Sequence, residues 1–405
     1  MRDTTFARIK TCKILIFIFL IFSDYISFCQ ESFNFSKEEL LSYQQSLITQ
    51  EITGSNVAMI YSKGERIYHE VVQSNRQGDK NINQNTIFPI WSMTKPITIV
   101  AMMLLHEENR VHWDDPVSNY LPIMKGLKYK DGESIKECKN ELKIIHLMTH
   151  RSGFKYYNMV SEFPNGGAYG YWTKFKDLET FVDTVAKYPL EFEPGSRYLY
   201  GINQAILGRI VEVISGKNFE EFLNERLFRP LGMINTSFSL TTESRNNFQP
   251  LWINTTDLKG FTYEIDELTY DPQNKAFFGG EGLVSTMEDY AMFCEMLAGN
   301  GLFRGKKILS EESIKTMTKA WSSEANDPLH EKLKGYSYGF SVFVLTDPLA
   351  ENPFAPKGIW GWAGYHNTHF WIDPKNEVFG LFMSRSREFS FEIPLGIRRI
   401  VYNGK

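Results

Sequence analysis

The chain has 405 residues, 42% hydrophobic and 23% charged, a globular balance that excludes a disordered or low-complexity protein. Its 44 Lys and Arg against 48 Asp and Glu leave a net charge of −4 with no long basic tract, which argues against a nucleic-acid partner. The length suffices for a large domain with a sizeable core, and the 15% aromatic content suits that core or an aromatic-lined pocket.

The first elements are a basic segment and an apolar one. Arg2, Arg8, Lys10 and Lys13 precede the unbroken apolar run 14–22, a pattern that predicts a signal peptide over residues 1–29. Ser27 and Cys29 are the small residues expected before a cut at Gln30. The run falls short of the roughly 20 residues of a membrane span. The mature chain is therefore read as secreted or periplasmic, with no membrane span. An uncleaved anchor is the alternative, and lipid attachment at Cys29 is disfavoured by the bulky Phe28 before it. Cys138 and Cys294 then remain, too few for a disulfide scaffold or a zinc site; a single bridge between them stays open.

Ser36 followed by Glu39 has the form of a helix start, and apolar spacing carries that helix to Glu51. Two strands, over 57–62 and 66–72, come next, joined at Lys63-Gly64. A helix begins near Ser92 and runs to about Glu108. Helical spacing returns at 176–188, 203–215 and 219–228. The last hundred residues change to strand patterns at 338–345, 368–374 and 377–384, then a closing helix near 395–403. Strands at both ends with helices between them predict an α/β (α+β) fold: an antiparallel sheet flanked by helices, with a mostly helical insertion. A single domain is expected over 30–405, its sheet part at about 30–108 and 280–405 and its helical part at about 109–279.

Two serines compete for a nucleophile's role. Residues 335–339 read G-x-S-x-G, and Asp347 and His366 come after Ser337 in the order of an α/β-hydrolase triad. That motif needs a strand before its serine and a helix after it; a strand pattern comes after it instead. The rival is Ser92-Met93-Thr94-Lys95, the spacing S-x-x-K. Residues three apart share a helix face, so Lys95 can reach the Ser92 hydroxyl. A helix start also offers free N–H groups to a developing oxyanion, and Pro96 suits a first turn. Alone the motif is weak: it recurs between Ser152 and Lys155, where Gly153 spoils a helix.

The surroundings are more specific. FPIWSMTKPIT, HLMTHRSGF, PGSRYLYGINQAILGRIVEVISG, PLGMINTSF, GGEGLVSTMEDYAMF and WGWAGYHNTHFWIDP occur in this order. Together they resemble the serine β-lactamase and penicillin-binding-protein superfamily, in its branch of class C β-lactamase-like family VIII carboxylesterases. The likeness covers nearly the whole mature chain. It implies Ser92 as the acylated nucleophile, with Lys95 and Tyr200 sharing its proton; which of the two is the base stays open, because coupled groups titrate as a pair. It also implies an oxyanion hole from the backbone N–H groups of Ser92 and Tyr365, and a substrate wall from Trp362, Ala363 and Gly364. Asn203 would help to hold a substrate amide.

Two departures from the lactamase pattern redirect the substrate. Asn203 stands one place later than in Y-x-N, and Trp362 replaces the lysine that would pair with a substrate carboxylate. Arg385 or Arg387 is the alternative source of that cation, although MSRSR reads more simply as a polar strand end. His150 reads as structural, and His366 and His369 lack an acidic cluster, so no metal and no cofactor is predicted. The expected activity is a secreted carboxylesterase on small uncharged acyl esters. The alternatives are a D-amino-acid peptidase (DD-carboxypeptidase) or weak β-lactamase, and, from another class, a non-catalytic relative that binds cell-wall peptides.

Overall fold

Ser36 accepts the Glu39 amide at 3.1 Å and so caps helix α1 (Lys37–Thr49), as its spacing predicts. The computed structural model describes residues 33–156, 175–263, 270–322, 334–350 and 355–403. The signal-peptide reading of residues 1–29 lies outside the described residues. The helices and strands of the fold belong to one unit, Phe35–Lys405.

After α1 come strands β1 (Asn56–Ser62) and β2 (Glu65–Val72). Both turn residues between them have positive φ, 51° at Lys63 and 80° at Gly64, which matches a type I′ hairpin. Helix α2 (Thr94–Glu107) is buried through Leu105, so it runs through the core rather than over it. Helix α3 (Asn203–Ser215) packs on α2 and ends at Gly216, whose φ of 73° gives the left-handed cap. Helix α4 (Met287–Ala298) starts on Thr286, which accepts the Asp289 amide.

The C-terminal strands are β3 (Tyr336–Tyr338), β4 (Phe343–Leu345), β5 (Trp360–Gly364), β6 (Thr368–Asp373) and β7 (Val378–Met383), and helix α5 (Glu392–Tyr402) comes after them. They join the N-terminal hairpin in a seven-stranded antiparallel sheet of order β3-β4-β5-β6-β7-β1-β2. Both ends of the chain thus build one sheet, with Val57 facing Met383 across the seam. Strand β6 is buried at all six positions because helices cover both faces. Phe370 meets Tyr290 of α4, while Asp373, on the opposite face, accepts a 2.9 Å hydrogen bond from the Tyr402 hydroxyl of α5. Trp371 lies across Gly380 of β7, where an added Cβ would come 1.9 Å from the indole; only glycine admits that ring.

One expectation changes, and two open alternatives close. The strand pattern at 338–345 breaks at Ser341 (φ 53°), so β3 and β4 form a hairpin instead of a single strand. Ser337 therefore sits inside β3 opposite Val344, its Oγ 3.2 Å from that of Thr346. The element that comes next is strand β4 rather than a helix, and the α/β-hydrolase reading with Asp347 and His366 falls. Finally, Cys138 and Cys294 are both free.

Candidate active site

Ser92 lies in a 3-10 turn, Trp91–Met93, which α2 continues. Trp91, just before it, has φ of 46°, a costly conformation for a bulky side chain. Its surroundings hold it there. Trp91 Nε1 donates to His366 Nδ1 at 3.0 Å, and its ring meets Tyr365 edge-on at 5.5 Å. Burial, with Arg385 and Arg387 adding to it, pushes the His366 pKa well down, so the imidazole is neutral and can accept. Behind the turn, Ile90 N donates to Leu283 O at 3.0 Å and Tyr290 donates to Met93 O at 3.0 Å. The segment leading into α4 and α4 itself thus fix the turn that carries Ser92.

Lys95 stands one helical turn on, completely buried. Its Nζ is 3.0 Å from Ser92 Oγ, 2.7 Å from Gly280 O and 2.8 Å from Tyr156 Oη. Tyr200 closes the other side of the serine, with Oη 2.8 Å from Ser92 Oγ. The loop that carries Tyr200 is laced to the segment 150–156: Leu199 N donates to His150 O at 2.8 Å, and a Cβ on Gly201 would strike Phe154 O at 2.3 Å. The structure therefore brings Ser92, Lys95 and Tyr200 together, as the resemblance implies.

A cavity of about 240 Å³ opens over Ser92. Tyr200, Trp362, Ala363, Gly364 and Tyr365 line it together with Tyr198, Tyr338, Phe343, Phe389 and Phe391. Eight of these side chains are aromatic and none is charged. Arg385 is spent elsewhere: it donates to Gln249 O at 2.7 Å and covers the Phe248 ring at 4.4 Å. Neither it nor Arg387 is among the residues that line the cavity.

Asn203 is a correction. It is fully buried, accepts from Ser152 Oγ and places Nδ2 2.9 Å from His150 Nδ1. Its place one residue late turns it into the packing between α3 and the His150 segment, and it does not line the cavity. His150, pushed to low pKa by burial and then by the Lys95 charge, bonds within this cluster, as a structural histidine does. The second S-x-x-K disperses: Ser152 Oγ accepts the Phe154 amide at 3.0 Å, and Lys155 pairs with Glu191 at 3.3 Å.

Two residues of the site escaped the sequence reading. Glu281 is only 3% exposed, its Oε2 3.5 Å from Lys95 Nζ, and Tyr156 donates to the same oxygen at 3.2 Å. A signal was present. Lys95 and Glu281 are lone opposite charges in apolar or glycine-rich stretches, and buried charges seek partners.

The family described as Beta-lactamase matches residues 45–400. An uncharacterised protein of Mycobacterium tuberculosis (strain CDC 1551 / Oshkosh) is 27% identical over 350 residues, 78% of this chain and 82% of that one. A candidate D-alanyl-D-alanine carboxypeptidase of Escherichia coli (strain K12) is 27% identical over 314 residues, 72% of this chain and 67% of its own length. Among solved structures, EstCE1, a hydrolase with promiscuous acyltransferase activity, superposes with a TM-score of 0.75 at 24% identity, over 90% of this chain and 98% of that one. Unliganded simvastatin synthase (LovD) from Aspergillus terreus does so at 0.70 and 18%, over 90% and 96%. The match spans most of the described fold, from within α1 to within α5, and places the chain in the β-lactamase family of serine hydrolases.

Proposed function

We propose that this protein is a carboxylesterase that works through an acyl-enzyme on Ser92 and takes uncharged esters with bulky apolar or aromatic groups. One observation carries the reading: a serine bonded to both a lysine and a tyrosine opens onto an uncharged aromatic cavity. In this scheme Ser92 Oγ attacks the ester carbonyl while its proton passes to the Lys95–Tyr200 pair. The backbone N–H groups of Ser92 and Tyr365 receive the oxyanion. The tetrahedral adduct expels the alcohol, which takes the proton back, and water repeats the sequence on the acyl-enzyme.

The cavity argues for the substrate class. A carboxylate, as in a β-lactam or a D-Ala-D-Ala peptide, would lose its hydration without gaining a cation, since Trp362 stands on the wall and the Lys95 charge faces Glu281. Aromatic walls favour ring-bearing or apolar groups through area and ring–ring contact. The carboxypeptidase name of the Escherichia coli relative supports the shared acyl-enzyme chemistry more than its substrate.

The test is turnover of p-nitrophenyl acetate, p-nitrophenyl phenylacetate and the anionic β-lactam nitrocefin. Ester turnover with the phenylacetyl ester favoured, nitrocefin poor, and all activity gone in Ser92→Ala is the expected outcome. Fluorophosphonate labelling with peptide mass spectrometry separates the serines, because cuts after Lys80 and Lys334 place Ser92 and Ser337 on different peptides. A label on Ser337, or no ester turnover, would sink the reading.

A further inference from the structure

Glu281 has no part in that scheme, yet it is buried against the residue that manages the serine's proton. Among the described residues, the groups that face Lys95 come from four segments: Ser92 in the turn before its own helix, Tyr156 beyond the His150 segment, Tyr200 from the loop before α3, and Gly280 with Glu281 from the loop before α4. His150, in ring contact with Tyr200 at 4.8 Å, is neutral.

Counting donors shows what Glu281 does. Gly280 O can only accept, so it takes one Lys95 N–H. Tyr156 gives its own hydroxyl proton to Glu281, which leaves its oxygen to accept a second Lys95 N–H. The remaining position on Nζ faces Ser92 Oγ at 3.0 Å, with Glu281 Oε2 farther off at 3.5 Å. If Lys95 is an ammonium and Tyr200 a phenolate, a third N–H points at Ser92, whose proton then turns to the Tyr200 oxygen at 2.8 Å, whereas a phenol at Tyr200 donates to Ser92 Oγ. If Lys95 is neutral, its lone pair faces Ser92 and takes that proton itself. These are two tautomers of one unit. The carboxylate beside Nζ tips the balance, because a buried anion favours the charged form of a neighbouring amine.

We propose that Glu281 is a positioning residue of this site: it holds Lys95 as the ammonium, so that Ser92 passes its proton to the Tyr200 oxygen. The step balances. The Ser92 O–H bond breaks as the Oγ–carbon bond to the ester forms, the phenolate of Tyr200 takes the proton, and that proton leaves on the departing alcohol. This inference rests on the esterase reading, and p-nitrophenyl acetate turnover by the unaltered protein tests that reading separately.

The experiment is the pH profile of kcat/KM for Glu281→Gln beside the unaltered protein, with folding checked by thermal melting. Loss of the anion makes both protons of the unit easier to remove, so both limbs should move to lower pH by about one unit. Glu281 contacts Lys95, while the Tyr200 hydroxyl bonds Ser92 alone among the described residues. The ammonium tautomer is therefore weakened, and the plateau should fall about tenfold, as a one-unit change in relative proton affinity implies. KM should change little, and Glu281→Asp should restore part of the plateau. A plateau that rises, with the same shift of the limbs, would make Lys95 the base and overturn the proposal. Unmoved limbs would reduce Glu281 to packing and overturn it too. Should Glu281→Gln fail to fold, Tyr156→Phe removes one acceptor of the ammonium and is read by the same signs.

Discussion

Lys95 and Glu281 show how much energy a single pair commits. Two ions without water are tolerable only together, and removing one leaves the other stranded. Lys95→Ala should therefore lose more than activity. It should destabilise the fold by about 3–5 kcal/mol, and Lys95→Ala with Glu281→Ala should be more stable than Lys95→Ala alone. Urea melts of the four proteins in the cycle measure this; a double variant no more stable than the single one would mean that the charges are not coupled. At this scale the sequence was partly legible. Ser92, Lys95 and Tyr200 stand in recognisable patterns, whereas Glu281 lies 186 residues from Lys95 and gains its meaning only when the chain folds back.

Among the elements, β5 matters most to the site, because it touches the turn of Ser92 directly. A Cβ on Gly364 would come 2.3 Å from Ile90 O and 2.2 Å from Thr368 Oγ1. The backbone cannot yield there without displacing Ser92 or the neighbouring Tyr365. Gly364→Ala should cost about 1–3 kcal/mol, as overpacking usually does. It should cut kcat by about 10²-fold or more through a misplaced oxyanion donor. A calorimetric melt combined with kcat separates the two effects, and kcat close to that of the unaltered enzyme would disprove the close fit. The strands and helices themselves were legible where apolar spacing was regular, as in α3, which begins and ends at the predicted residues. The β3–β4 hairpin was not, because the aromatic and β-branched residues on both sides of Ser341 conceal the left-handed turn there.

Across the whole molecule, burial of histidines sets the acid response. His150, His366 and His369 are buried, and desolvation is the first cause of their lowered pKa values, with His369 at about 3. His146 shifts the same way, to about 4, again mainly by burial. The unfolded chain binds a proton on each near pH 6.5 while the fold refuses it. Stability is therefore full above about pH 6.5 and falls as pH drops toward 4, each fully buried histidine contributing about 1.4 kcal/mol per pH unit. Glu212 and Asp289, whose pKa values burial raises, act in the opposite direction but are fewer. Urea unfolding at pH 7.5, 6.0 and 5.0 should show a steady loss, and a flat response would contradict it.

The sequence by itself determined the architecture and the candidate serine. Periodicity and turn chemistry are local, so strands at both ends and helices between them could be read from short windows, and S-x-x-K at a helix start states its own geometry. Tertiary structure decided which charges meet and which side chains face the substrate. Asn203 stands three residues from Tyr200 yet turns into packing, and Arg385 is spent on Gln249 and Phe248. Glu281 reaches Lys95 across 186 residues of chain. Burial and pairing depend on contacts between distant segments, and a linear pattern carries no distance between them.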